Sequence, residues 1–268
     1  MKLPKLPAPP LPDKLNPRPS RPGEAPRRGP VEQAKEAGIS AVDWVDERTS
    51  LSGGLRWTMF RKVPKGTNWF YTLGSACMFA FLSQAVTGVF LAMYYRPDAA
   101  GGAYESIRYL TNEVFLGEFV RGMHKWGSTM MIILIFLHMG QVFFYGAYKY
   151  PREMNWLIGV ILVVLTLMMG LTGYLLPFDQ RSFWATVVGV NINASGPIIG
   201  PYLADFMRGG AEFGAASLSR FYALHMLVVP GLIAALIGAH LYLVAKLGTT
   251  APFWLKAEKA RDLAKEEI

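Results

Sequence analysis

The chain has 268 residues, of which 52% are hydrophobic and 17% charged, with 27 Lys+Arg against 19 Asp+Glu. Its mean hydropathy of +0.25 is too high for an ordinary soluble domain, and it averages a polar start with a far more apolar remainder. One Cys excludes a disulfide framework and any Cys-built zinc or iron–sulfur site.

The first 30 residues contain ten of the 18 prolines, from Pro4 to Pro30. This segment has no apolar core of a signal peptide and is expected to persist as an extended, disordered tail over residues 1–35. Residues 36–65 are expected to form a surface segment. An amphipathic helix near Ala41–Arg61 would offer Trp44, Leu51, Leu55 and Trp57 to a membrane interface.

Four charge-free intervals follow: Trp69–Tyr95, Trp126–Tyr148, Met154–Phe178 and Phe221–Ala245. About 20 apolar residues rising 1.5 Å each cross a hydrocarbon core of about 30 Å, so each interval is long enough to span a bilayer. Trp and Tyr at their ends fit an interfacial belt. The fold class is therefore an all-α membrane protein. A four-helix domain occupies residues 66–248, and a polar tail follows over 249–268.

Four crossings place both tails on one side. The tails and the 149–153 turn hold 20 of the 27 basic residues, and the other two loops hold seven. The positive-inside rule puts both termini in the cytoplasm. The excess of basic charge thus sets orientation, and no nucleic acid partner is implied. The loop from Asp179 to Arg220 is long and apolar (Phe183, Trp184, Pro197, Ile198, Ile199, Leu203, Phe206), as short helices lying on the outer surface would be.

All four histidines fall in or beside spans: His124 and His138 around the second, His225 and His240 in the fourth. The spacings are 14 and 15 residues. At 100° per residue these are about 1400° and 1500°, near a whole number of turns, so each pair shares roughly one helix face, with about 21–22 Å between its members. Spans 2 and 4 run in the same direction. His124 is therefore level with His225, and His138 with His240. Two facing imidazoles per level suit axial ligation of haem iron; without Cys or carboxylates they make a poor zinc site.

Glycine repeats the pattern. Gly74 and Gly88 in span 1, and Gly159 and Gly173 in span 3, are each 14 apart, and residues without a side chain let a wide ring approach the helix backbone. Arg121, Lys125 and Arg220 flank the outer level and are candidate partners for haem propionates.

The sequence at this point resembles the cytochrome b/b6 family of quinol-oxidising cytochrome bc complexes. The likeness is carried by VPKGTNWFYTLGS (63–75), QAVTG (84–88), YYRP (94–97), RGMHKWGSTMM (121–131), GYLLPFDQRSFWA (173–185) and SRFYALH (219–225). The 15-residue spacing looks like the cytochrome b6 branch, and a four-span chain resembles the split form whose other helices lie in a subunit-IV-like polypeptide.

The resemblance implies two non-covalent b-type haems. His124 and His225 would ligate the low-potential haem near the outer face. His138 and His240 would ligate the high-potential haem near the cytoplasm. Carried over from that family's pattern, Arg121 and Arg220 would hold propionates. The segment with Tyr174, Leu176, Pro177 and Phe178 would open the outer quinol pocket. Implied partners are quinol or quinone, a Rieske iron–sulfur protein, a c-type cytochrome and a dimeric complex in a bacterial plasma membrane; the bacterial look of the tail points to menaquinol as the quinol. No catalytic proton acceptor is assigned in this chain.

Two departures bear on a third haem. Relatives that attach a covalent c-type haem carry Cys in the FYCLG motif, where this chain has Thr72. Ala245 stands where the b6 pattern has an Arg. Thr72 forms no thioether, so a covalent haem is expected to be absent. Cys77 lies five residues on, about 140° around the helix, and is read as a small buried residue. The implied activity is quinol oxidation with its two electrons sent to different acceptors. The alternative is a di-haem cytochrome b anchor of a hydrogenase or formate dehydrogenase type enzyme, which would have no need of the Gly173–Ala185 motif.

Overall fold

The computed structural model describes residues 30–49, 52–53 and 67–255, and among these every regular element is helical. Residues 1–61 and 62–268 form two compact units. In the first, α1 runs Pro30–Thr49. It starts inside the segment expected to be extended, because proline is well tolerated in the first helical turn, where its missing N–H removes no helical hydrogen bond. Ile39, Val42 and Trp44 on it are exposed, and Arg48 closes the last turn by donating to Trp44 O at 2.8 Å. Of the expected amphipathic helix, Leu51, Leu55 and Trp57 lie outside the described residues.

The second unit contains four helices long and apolar enough to cross a membrane: Trp69–Ala92, Gly117–Phe144, Glu153–Leu175 and Ala215–Leu247. They correspond to the four charge-free intervals. Span 1 opens with a 3-10 turn, Trp69–Thr72, and continues as α2, Leu73–Ala92. The side chain of Asn68 accepts from Phe70 N at 3.2 Å and so caps the start. Span 2 is α4, Gly117–Phe144. It begins nine residues before the charge-free interval, because Glu118, Arg121 and Lys125 ride on its first turns, at the helix end, where a charged side chain can reach water. Span 3 is α5, Glu153–Leu175.

Between spans 1 and 2 lies a helix that the pattern of charges did not reveal, α3, Gly102–Asn112. Ala103, Ser106 and Leu110 form its buried face at helical spacing. The long apolar loop folds into α6, Gln180–Ala194, and α7, Gly200–Arg208. The Asp179 side chain caps α6 by accepting from Ser182 N at 2.8 Å.

Span 4 is interrupted. It comprises α8, Ala215–Ala223, a π turn, Leu224–Val228, and α9, Val229–Leu247. Val229 N–H donates to Leu224 O, five residues back rather than four. Pro230 supplies the local reason: it has no N–H for the usual bond, and its ring crowds the carbonyl four residues before it, so a widened turn relieves both.

Span 1 packs along span 2 and span 3 along span 4, with spans 2 and 3 also in contact. A buried apolar cluster sits at the end that carries α6 and α7, hereafter the loop end. Leu175, Val190, Ala204, Met207, Leu218 and Phe221 join there, with Tyr95, Leu176 and Phe178 packed against them. At the opposite, tail end, Arg152 donates to Gly248 O at 3.1 Å and Leu247 O at 3.2 Å, closing the last carbonyls of α9.

Candidate functional site: two histidine levels inside the bundle

The antiparallel helices bring the four histidines together as two levels. At the loop end, His124 and His225 face each other with ring centroids 6.3 Å apart and planes at 75°. Two imidazoles on opposite sides of one metal ion, with bonds of about 2.0–2.1 Å to nitrogen and ring centres roughly 1.1 Å behind it, have centroids about 6.3 Å apart. The separation therefore suits a shared metal. At the tail end, His138 of span 2 and His240 of span 4 form the second level, each set against a glycine of the neighbouring helix.

Each histidine has its own glycine on the neighbouring helix. A Cβ built on Gly88 would meet His124 Cε1 at 3.3 Å, and one on Gly74 would meet His138 Cε1 at 3.2 Å. One on Gly173 would lie 2.5 Å from His225 Cε1, and one on Gly159 would lie 3.7 Å from His240 Cε1. The glycine register expected to admit a broad ring thus first makes room for the imidazoles themselves.

Two threonines complete the loop-end level, and sequence reasoning missed both. Thr87 Oγ1 is 2.9 Å from His124 Nδ1, and Thr172 Oγ1 is 3.2 Å from His225 Nδ1, which is also 3.1 Å from Met169 O. Each threonine donates its single hydroxyl proton to a carbonyl of its own helix, Thr87 to Ser83 O at 2.7 Å and Thr172 to Met168 O at 2.8 Å. Their oxygens are therefore left to accept from Nδ1–H, which fixes the tautomer and leaves the lone pair on Nε2. A neutral imidazole so oriented is a metal ligand. The signal was in the sequence: the dipeptide Thr-Gly occurs at 87–88 and again at 172–173, one copy per glycine-bearing helix.

The tail-end level lacks these threonines. His138 Nδ1 and His240 Nδ1 are buried without a partner in hydrogen-bond geometry. The glycine cradles and the paired imidazoles fit a haem held at each level. Among the described residues no group of three or more His, Cys, Asp and Glu side chains could hold a metal ion, so a zinc-type ligand set is not assembled.

The π turn resolves the unequal spacing. A π turn inserts one residue into an α-helix, so 15 residues with one such turn rotate about as far as 14 without it, about 1400°. His225 and His240 then keep the same relative azimuth as His124 and His138.

This arrangement of paired histidines, each opposite a glycine, has counterparts in known proteins. A family profile described as cytochrome b/b6/petB matches residues 59–248. The chain belongs to the cytochrome b/b6 family. It is 41% identical to the menaquinol:cytochrome c reductase cytochrome b subunit of Geobacillus thermodenitrificans over 218 residues, covering 78% of this chain and 97% of that one. It is also 41% identical to cytochrome b6 of Heliobacterium modesticaldum, covering 79% of this chain and 100% of that one. Among solved structures it matches a chain of a hyperthermophilic respiratory Complex III with a TM-score of 0.71 and 32% identity, over 79% of this chain. The match spans 56% of that longer chain.

As a multi-pass membrane member of this cytochrome b family, the chain is a haem protein, and its relatives are subunits of bc-type complexes. The remaining candidates are placed as follows. Lys125 extends over the Trp126 ring at 6.0 Å, and Arg121 is partly buried two residues on from Phe119 at the loop end of the span. Arg220 is engaged on α7: its Nη1 donates to Phe206 O at 2.5 Å, and the guanidinium lies 5.4 Å from the Phe206 ring. Tyr174 is exposed, Leu176 is the C-cap just past α5, and Phe178 adopts a φ of 50° while its ring packs edge-on to Phe183 at 5.7 Å. Thr72 donates to Trp69 O at 2.6 Å, and Cys77, five residues on, is a free, partly buried thiol.

Proposed function

We propose that this chain is the haem-bearing cytochrome b subunit of a quinol:cytochrome c oxidoreductase, or of one serving another high-potential acceptor. The observation that carries this reading is the pair of levels, His124 with His225 and His138 with His240, each imidazole set against a glycine. When bound, two b-type haems would supply a one-electron carrier at each level.

The chain's own residues do the rest. His124 and His225 hold the low-potential haem at the loop end, which is the outer face, and His138 and His240 hold the high-potential haem on the cytoplasmic side. Thr87 and Thr172 keep two of the imidazoles in the ligating tautomer. Arg121, Lys125 and Arg220 place positive charge beside the outer propionates, Arg220 while anchored on Phe206. Tyr174, Leu176, Pro177 and Phe178 line the outer quinol pocket, with α6 and α7 as its cover. Thr72 leaves no thiol at the position of covalent attachment, so the haems are non-covalent.

The likeness to a menaquinol:cytochrome c reductase subunit favours menaquinol as substrate. It also favours a subunit-IV-like polypeptide, a Rieske iron–sulfur protein and a c-type cytochrome as partners in a dimeric complex of a bacterial plasma membrane, with both termini cytoplasmic. A dithionite-reduced minus oxidised spectrum of membranes holding the complex is expected to show a b-type α band, and pyridine haemochrome to give two b haems and no c haem per chain. Replacing His138 should remove one b centre and leave the other. Absence of the α band, or loss of neither centre, overturns the assignment.

A further inference from the structure

The backbone at the start of the outer loop is unusual. At the end of α5, Phe178 N–H turns back to Leu175 O at 2.8 Å, and the helix stops. Phe178 then takes a φ of 50°, a left-handed conformation that is strained for a bulky residue and persists only if its surroundings hold it. Leu176 O is one of the carbonyls that a helix end leaves to find a partner elsewhere. It accepts from the hydroxyl of Tyr95 at 2.6 Å, across 81 residues of sequence.

Tyr95 comes from the YYRP segment just past the end of span 1. Its ring lies 5.5 Å from that of Tyr222, tilted by 31°. Tyr222 is three residues before His225, so it belongs to the same helical turn. One side chain therefore touches both the backbone of Leu176 and the turn that carries a loop-end histidine. Tyr95 and Phe178 also pack against the same buried cluster, which includes Leu175 and Phe221.

We infer that Tyr95 is a positioning residue for the outer quinol pocket, its hydroxyl fixing the Leu176–Phe178 backbone at a set distance from the His225 turn. The inference rests on the function proposed above and deepens it. The hydroxyl acts on the shape of the quinol-facing segment and does not touch the reacting atoms. Its loss is felt in how well quinol is held, because the left-handed Phe178 relaxes once its carbonyl neighbour is released.

The test uses the intact purified complex, with a short-chain menaquinol analogue as substrate and b-haem reduction as readout. Tyr95→Phe keeps the ring against Tyr222 and removes only the hydrogen bond. It is expected to raise KM for the quinol about three- to tenfold, the range one hydrogen bond supports, with a much smaller change in kcat and an unchanged b-type spectrum. Tyr222→Phe, which leaves the Tyr95–Leu176 bond in place, is expected to leave KM as it is. An unchanged KM in Tyr95→Phe overturns the inference. So does an equal rise in Tyr222→Phe, which would show that losing any hydroxyl of this ring pair, and not the Tyr95–Leu176 bond, weakens quinol binding, or loss of haem in Tyr95→Phe, which would make the residue a stability element. If the wild-type complex shows no quinol-dependent reduction of a b centre, the functional reading itself fails. A normal wild-type response with an indifferent Tyr95→Phe sinks this inference alone.

Discussion

Gly173 lies so close to His225 that a methyl group there would stand 2.5 Å from the imidazole Cε1 and 3.0 Å from both ring nitrogens. The imidazole has little freedom to retreat, because its Nδ1 is held at 3.1 Å by Met169 O and at 3.2 Å by Thr172 Oγ1. The corresponding contact at Gly159 is 3.7 Å from His240 Cε1, an ordinary van der Waals distance.

Gly173→Ala should therefore displace His225 and remove or strongly perturb the outer haem, while Gly159→Ala keeps both. Pyridine haemochrome on the purified complex should show about half the haem lost in the first variant and none in the second. Equal losses in the two variants would contradict the graded contact.

The threonine partners give a second expectation. Losing an acceptor at Nδ1–H makes an imidazole a weaker electron donor, which favours ferrous over ferric iron and raises the potential. Thr87→Val should raise the midpoint potential of the outer haem by about 20–60 mV, a one-electron shift of up to tenfold in the equilibrium constant. Thr172→Val should do less, because Met169 O still receives the His225 proton. Redox titration of the α band distinguishes the two.

The π turn predicts an asymmetry between two one-residue deletions in span 4. Deleting Val228 together with Pro230→Ala converts the Leu224–Val228 turn to ordinary α-helix with a 14-residue spacing, and both haems should be retained. Deleting Ala235 from α9 instead leaves the π turn in place and swings His240 about 100° away from its level. That variant should keep the outer haem and lose the inner one, read from the reduced minus oxidised spectrum.

Arg220 fastens α7 to span 4 through Phe206, and Gly209 at φ 78° lies against its guanidinium, which a Cβ would meet at 2.9 Å from Nε. Arg220→Leu should loosen the segment between α7 and α8 at a cost of about 1 kcal/mol, given the partial exposure of the contact. Limited proteolysis is the measurement: cleavage near residues 209–214 should accelerate several-fold relative to wild type, and an unchanged rate would count against the anchoring role.

The four crossings are legible in the residue order alone, because a hydrocarbon core tolerates so few charges that their absence marks each span. The same order also determined which histidines share a level, since helix direction and a fixed rise per residue leave one pairing for spans 2 and 4. The glycine register followed from the same arithmetic. What required the tertiary structure were contacts between residues remote in the chain. Thr87 reaches His124 across 37 residues, Thr172 reaches His225 across 53, and Tyr95 reaches Leu176 across 81. A periodic pattern tells which face a residue occupies but not which atom on the facing helix completes its hydrogen bond. The π turn escaped for a related reason: spacing alone fits 15 residues as a regular helix within about 60° of alignment, and only the bond from Val229 to Leu224 shows where the extra residue is absorbed.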